Sequence, residues 1–182
     1  PDKPEETPES TLKAHWLTAV GCPTSAQRAE AAKLPELESR QSRELDRLLE
    51  RRLLGEPLGH ITGRQAFMGL EFRVGPDALL PRRETEILGR AACEIGEFLD
   101  DGRRDVVVVD TCCGCGNVAL AVANEIPRST VIGVELWAGA VRLARRNAKV
   151  MRLAERVSFQ VGDLLQPVNR MARTVDLITC NP

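Results

Sequence analysis

A chain of 182 residues, 43% apolar and 28% charged, is long enough to bury a core. With 25 basic against 26 acidic side chains it has no charge excess to draw it to nucleic acid or a membrane. No apolar run nears the ~20 residues of a membrane span, and no leader pattern opens the chain. Of its 6 cysteines, Cys112, Cys113 and Cys115 crowd one turn. That crowding excludes a spaced disulfide framework and points to reduced thiols in a cytoplasmic protein. The first residue is not Met and the last two are Asn181-Pro182, so a fragment of a longer protein is expected.

Residues 1–9 (PDKPEETPE) are rich in proline and acid and are expected to form a disordered tail. Ser10 is placed to cap a first helix running to Val20, which Gly21-Cys22-Pro23 breaks. Thr24 or Ser25 caps a second, to about Lys33. A third, from about Glu36 to Leu54, carries Leu45, Leu48, Leu49 and Leu53 on one apolar face and stops at Gly55. Residues 10–56 therefore read as a small helical bundle. Ala66-Phe67-Met68 and Leu70-Glu71-Phe72-Arg73-Val74 flank Gly69 as two short strands, with Leu70, Phe72 and Val74 alternating inward. Residues 57–83 thus read as a β-hairpin linker. Pro81-Arg82-Arg83-Glu84-Thr85-Glu86 then feeds a helix from about Glu84 to Leu99, whose first turn has acids suited to its dipole.

Residues 105–125 organise the remainder. Four valines, Val106 to Val109, end at Asp110 and read as a buried parallel strand. Gly114 and Gly116 allow a tight turn and a close approach of backbone to a ligand. Asn117 is a suitable N-cap for the apolar helix that follows. Further strands are expected at Ser129–Glu135, Val157–Val161 and Val175–Cys180, with a helix at Trp137–Leu153 between the first two. This alternation predicts an α/β fold, a partial Rossmann-like domain with a parallel sheet and right-handed crossovers over residues 84–182.

Gly114-Cys115-Gly116-Asn117-Val118-Ala119 fits G-x-G-x-x-[GA] loosely, and Glu135 lies about twenty residues on, where a ribose-binding acid belongs. A dinucleotide and S-adenosylmethionine (SAM) both suit that pattern. Asp110 before the turn repels a pyrophosphate and suits a cationic sulfonium or an amino group. Asp163 ends the third strand, where it can accept from an adenine amino group, and Asn181-Pro182 places an amide and a carbonyl at the crevice. SAM is the expected cofactor, with S-adenosylhomocysteine as its product. Adjacent cysteines with only His15 and His60 elsewhere do not supply a tetrahedral metal set.

Residues 57–86, PLGHITGRQAFMGLEFRVGPDALLPRRETE, resemble the segment that precedes the catalytic domain in the HemK/PrmC family. These are class I SAM-dependent protein-glutamine methyltransferases acting on peptide-chain release factors. Asp110 to Gly116 fall on the family's SAM loop, D-x-G-x-G-x-G, with Cys112 at its first glycine and Cys113 and Cys115 at variable positions. Glu135 falls on the ribose acid, Gly162-Asp163-Leu164 on the adenine-side segment, and Asn181-Pro182 on the first half of an N-P-P-Y signature.

The resemblance implies substrate recognition by residues 10–56. It also implies substrate contacts from Arg82, Glu84, Thr85, Asn181 and Pro182. Acceptors on Asn181 and Pro182 would orient a glutamine amide nitrogen for an in-line displacement. A release factor with a Gly-Gly-Gln tip is the implied partner, and neither a membrane nor nucleic acid as direct substrate is expected. Two rivals remain. An adenine-N6 methyltransferase shares the Asn-Pro signature, and a catalytically inactive SAM-binding scaffold suits the cysteine-altered loop.

Overall fold

The computed structural model describes residue 4, residues 6–171 and residues 174–182. The chain divides into two compact units, Pro1–Pro76 and Asp77–Pro182. The boundary falls inside the 57–83 segment, so the hairpin is part of the first unit rather than a separate linker.

Helix α1 spans Pro8–Ala19. Thr7, not Ser10, is its N-cap; the Thr7 hydroxyl accepts the Ser10 N–H at 3.1 Å, and proline opens the helix where its missing N–H costs nothing. Pro8 and Glu9 are thus helical rather than part of a tail, while residues 1–3 and 5 lie outside the described residues. Helix α2 is one turn, Ala26–Ala29, shorter than expected, and α3 spans Ser39–Leu53. Leu45 and Leu48 of α3 are buried, but Leu53 is 87% exposed. At ~100° per residue the α3 face that holds Leu45 and Leu48 passes through Arg52, and Leu53 is rotated off it.

A five-residue helix α4, Leu58–Thr62, was not legible in the sequence. It leads into β1 (Arg64–Phe67) and β2 (Leu70–Arg73), an antiparallel pair with Gln65 opposite Phe72. Met68 and Gly69 both have positive φ, 47° and 76°, the two-residue turn whose twist matches that of the strands. Phe67 and Phe72 meet edge-to-face at 6.2 Å in the core, whereas Leu70, expected inward, is only half-buried. Glu71 of β2 accepts from the Thr24 hydroxyl (2.7 Å) and from the Ser25 N–H (2.8 Å) and hydroxyl (2.9 Å). The hairpin is thereby tied to the start of α2.

The second unit opens with Asp77–Arg82, then α5 (Arg83–Leu99), β3 (Val106–Thr111), α6 (Asn117–Glu125), β4 (Ser129–Glu135), α7 (Ala138–Val150), β5 (Val157–Val161), a 3₁₀ turn (Gln166–Met171) and β6 (Leu177–Cys180). The four strands are parallel, in the order β5-β4-β3-β6. Val106, Val108 and Val109 of β3 and six consecutive residues of α6, Val118 to Ala123, are buried. A helix buried all round is what an unbroken apolar run produces. Arg104 clamps the foot of β6 with a two-pronged bond to Asp176 (both 2.6 Å), and Asp176 also accepts the Val107 N–H. The Arg104 guanidinium holds the Asp176 carboxyl down at about 2. Because β4 and β5 lie on one side of β3 and β6 on the other, the direction in which strands are added to the sheet reverses between β3 and β6. Ligands of open parallel sheets bind at that switch point, beyond the C-terminal strand ends.

Candidate functional site

Four of the chemistry-bearing segments singled out in the second unit lie at the C-terminal ends of strands, while Arg82, Glu84 and Thr85 open α5. The turn 112–116 follows β3, Glu135 ends β4, Asp163 and Leu164 follow β5, and Asn181-Pro182 follow β6. The β3 turn is held from below by Cys113 N–H donating to the Val134 carbonyl (3.1 Å) and by Gly116 N–H donating to the Cys113 carbonyl (2.8 Å). Gly114 and Gly116 have φ of 54° and 83°, and Cys112 joins them at 57°. Gly116, not Asn117, occupies the N-cap position of α6. Glycine is required at 116 for a second reason. A Cβ there would sit 2.8 Å from Phe159 Cζ and 3.2 Å from Ala144 Cβ.

Glu135 is half-buried and reaches back to this turn. One oxygen accepts the Gly114 N–H (2.9 Å) and the other the Trp137 N–H (3.2 Å). Each carboxylate oxygen retains acceptor capacity beyond those bonds. Trp137, Asp163 and Leu164 are exposed beside it, Leu164 at a φ of 45°.

Asp110 is placed differently from the residues around it. It is 2% exposed, with one oxygen accepting the Thr179 hydroxyl at 2.7 Å and the other the Ala119 N–H at 3.2 Å. Burial pushes its carboxyl up to about 7, against the hydrogen bonds from Thr179 and Ala119 that favour ionisation. Asp110 therefore joins β3, β6 and α6 beneath the turn. Burial likewise pushes the Cys115 thiol up to about 12 and the Cys113 thiol higher still, so both are inert fillers.

Asn181 Nδ2 donates to Thr85 Oγ1 at 3.0 Å, bringing the PRRETE segment to the strand-end Asn-Pro across a separation of 96 residues. Arg82 stands at the N-cap of α5, and Glu84 is exposed in its first turn. Sequence reading missed four supports. Thr111 and Thr179 are buried, and the Thr111 hydroxyl donates to the Thr179 carbonyl at 3.1 Å. Asn147 is 1% exposed and donates to the Cys115 carbonyl at 3.0 Å. A polar Asn147 between Ala144 and Ala148 on an otherwise apolar helix face was the available signal. Ala78 packs toward Gly114, 4.0 Å from where its Cβ would be. Arg145, exposed on α7, donates twice to the Phe159 carbonyl.

The donor set suits SAM: a carboxylate at Glu135 for a ribose diol, left-handed glycines beside it, and acids rather than cations around the turn. A family model described as a methyltransferase domain matches residues 108–182. A release factor glutamine methyltransferase of Moorella thermoacetica is 32% identical over 171 residues, 94% of this chain and 58% of that protein. A release factor glutamine methyltransferase of Streptomyces coelicolor is 42% identical over 139 residues, 74% of this chain and 46% of that protein. The chain thus spans about half the length of the curated relatives it matches. A solved SAM-dependent methyltransferase of Agrobacterium tumefaciens aligns with a TM-score of 0.52 at 20% identity, over 65% of this chain and 39% of that one; it shows the fold alone. The chain is similar to release factor glutamine methyltransferases over most of its length, and residues 108–182 match a methyltransferase domain.

Proposed function

We propose that this chain, as part of a longer protein, methylates the side-chain amide nitrogen of a glutamine in a peptide-chain release factor, at its Gly-Gly-Gln tip. The reading is carried by the Asn181–Thr85 hydrogen bond. It unites, at the mouth of the β3–β6 crevice, two of the segments on which the family resemblance rests. SAM, when bound, supplies a methyl group on a cationic sulfur.

The chain's own residues orient. Glu135 accepts from the ribose hydroxyls, and Asp163 with Leu164 borders the adenine. Gly114 and Gly116 let the backbone approach, and Asp110 acts through the turn it anchors. The Asn181 side-chain oxygen and the Pro182 carbonyl accept from the substrate amide. The Thr85 hydroxyl fixes the Asn181 amide so that its oxygen faces the crevice. Preorganised acceptors of this kind raise electron density on a nitrogen that is otherwise a poor nucleophile. Arg82 and Glu84 form the rim, and residues 10–56 contribute to recognising the protein substrate.

The test uses the chain extended to the length of its relatives, with radiolabelled SAM. Label on a release factor, lost when the tip glutamine is replaced by alanine, supports the reading. Label recovered as N6-methyladenine in duplex or single-stranded DNA instead establishes an adenine-N6 methyltransferase. SAM binding without label on either points to a scaffold.

A further inference from the structure

Two thiols meet at the switch point. Cys112 is the first residue after β3 and Cys180 the last of β6. Thr111 lies directly opposite Cys180 in the parallel ladder, so Cys112 stands one step past that pair. Burial raises the pKa of the Cys112 thiol, and the neighbouring Cys180 thiol raises it further. Paired strands run ~4.8 Å apart and one step along a strand adds ~3.3 Å, which puts the two Cα atoms roughly 6 Å apart, inside the ~4.4–6.8 Å that a disulfide spans. Cys180 is exposed and Cys112 half-buried, so both are within reach of a small solute, whereas Cys93, Cys113 and Cys115 are buried. Cys22, the other exposed thiol, belongs to the first unit.

We propose that Cys112 and Cys180 form a reversible dithiol–disulfide site that reacts with hydroperoxides. The exposed Cys180 sulfur attacks the peroxide oxygen. The O–O bond breaks, one oxygen leaves as water or an alcohol, and Cys180 becomes a sulfenic acid. The Cys112 sulfur then attacks the Cys180 sulfur; an S–S bond forms, the S–O bond breaks, and the oxygen leaves as water with the Cys112 proton. Two thiols are oxidised by two electrons and one peroxide is reduced. The bond staples the cofactor turn to the residue before Asn181, in the family of transient intracellular disulfides rather than structural ones. The site does not depend on which substrate is methylated, because its readout is thiol chemistry.

The experiment exposes the native chain to one equivalent of hydrogen peroxide, blocks remaining thiols with N-ethylmaleimide and digests it with trypsin. The expected product is peptide 105–128 joined to peptide 174–182, lost on treatment with dithiothreitol. Cys180→Ser and Cys112→Gly each abolish the pair, and the second also tests the assignment among three cysteines on one peptide. Circular dichroism of each variant must match the parent, and Cys113→Ser, which leaves both thiols in place, must retain the pair. Recovery of maleimide on both residues after peroxide, or Cys180 found only as sulfinic acid, overturns the proposal. So does a cross-link to Cys22 or to a second copy.

Discussion

Cys112 shows what a single side chain costs at this turn. It sits at a φ of 57°, where an L-residue brings its Cβ against its own carbonyl; the penalty is roughly 1–2 kcal/mol. Glycine removes that strain and gives back part of it in unfolded-chain entropy. Cys112→Gly is expected to stabilise the chain by about 1 kcal/mol, read as a higher urea midpoint at unchanged slope; an unchanged or lower midpoint contradicts the strain. Asp110 gives a pH signature. Its folded carboxyl, at about 7, binds a proton more tightly than the unfolded one near 3.8. The stabilisation is complete below the unfolded value and is lost as pH rises to the folded one. Asp110→Asn keeps one acceptor oxygen for the Ala119 N–H and turns its NH2 to the Thr179 hydroxyl oxygen, which can accept, without the ionisation. It is expected to flatten the fall in stability between pH 4 and 7, measured by urea unfolding in a pH series.

At the scale of elements, the turn and its neighbours are a packed unit rather than a loop laid on a sheet. Phe159 of β5 fills the space beside both Gly116 and Gly133, so three strand ends interlock through one ring. Gly116→Ala must displace that ring and hold a Cβ at a φ of 83°. Its expected cost is about 2–4 kcal/mol, the sum of overpacking and left-handed strain, together with loss of SAM binding by calorimetry. Unchanged stability would show that Phe159 moves freely. The same turn depends on Asn147 from α7, which explains why a polar residue belongs in the middle of a buried face.

Across the whole molecule, two surfaces of the second unit are apolar and open. β6 pairs with β3 alone among the described residues, leaving Ile178 half-exposed on its outer edge. Helix α5 carries Ile87, Ile95 and Phe98 at helical spacing, with Ile87 74% and Phe98 88% exposed. An unpaired edge beside an apolar stripe favours association. The chain alone is therefore expected to self-associate in sedimentation velocity as its concentration rises. Ile178→Lys with Phe98→Ser should shift it toward monomer; no change in the distribution would clear these surfaces. Among the described residues no helix is long and apolar enough to cross a membrane.

The sequence by itself determined the parallel strands at 106–111, 129–135 and 157–161, because a run of four valines in the first, a Val-Ile pair in the second and the alternation of Val157, Phe159 and Val161 in the third, each bounded by turn residues, admit few other states. It also placed Glu135 and the glycine turn, whose spacing is set by one strand–helix–strand passage. Local pattern could not reveal that Asp110 turns inward, since the partner that holds it, Thr179, lies 69 residues away. Helix α4, the start of α1 and the Gly116 cap were misread for a related reason: the ends of elements are decided by one or two hydrogen bonds, not by periodicity. Only the tertiary structure brought Thr85 to Asn181 and Cys112 to Cys180. Those meetings come from β6 crossing to the far side of β3, and the order of strands in a sheet is fixed by packing over the whole unit rather than by any stretch of chain.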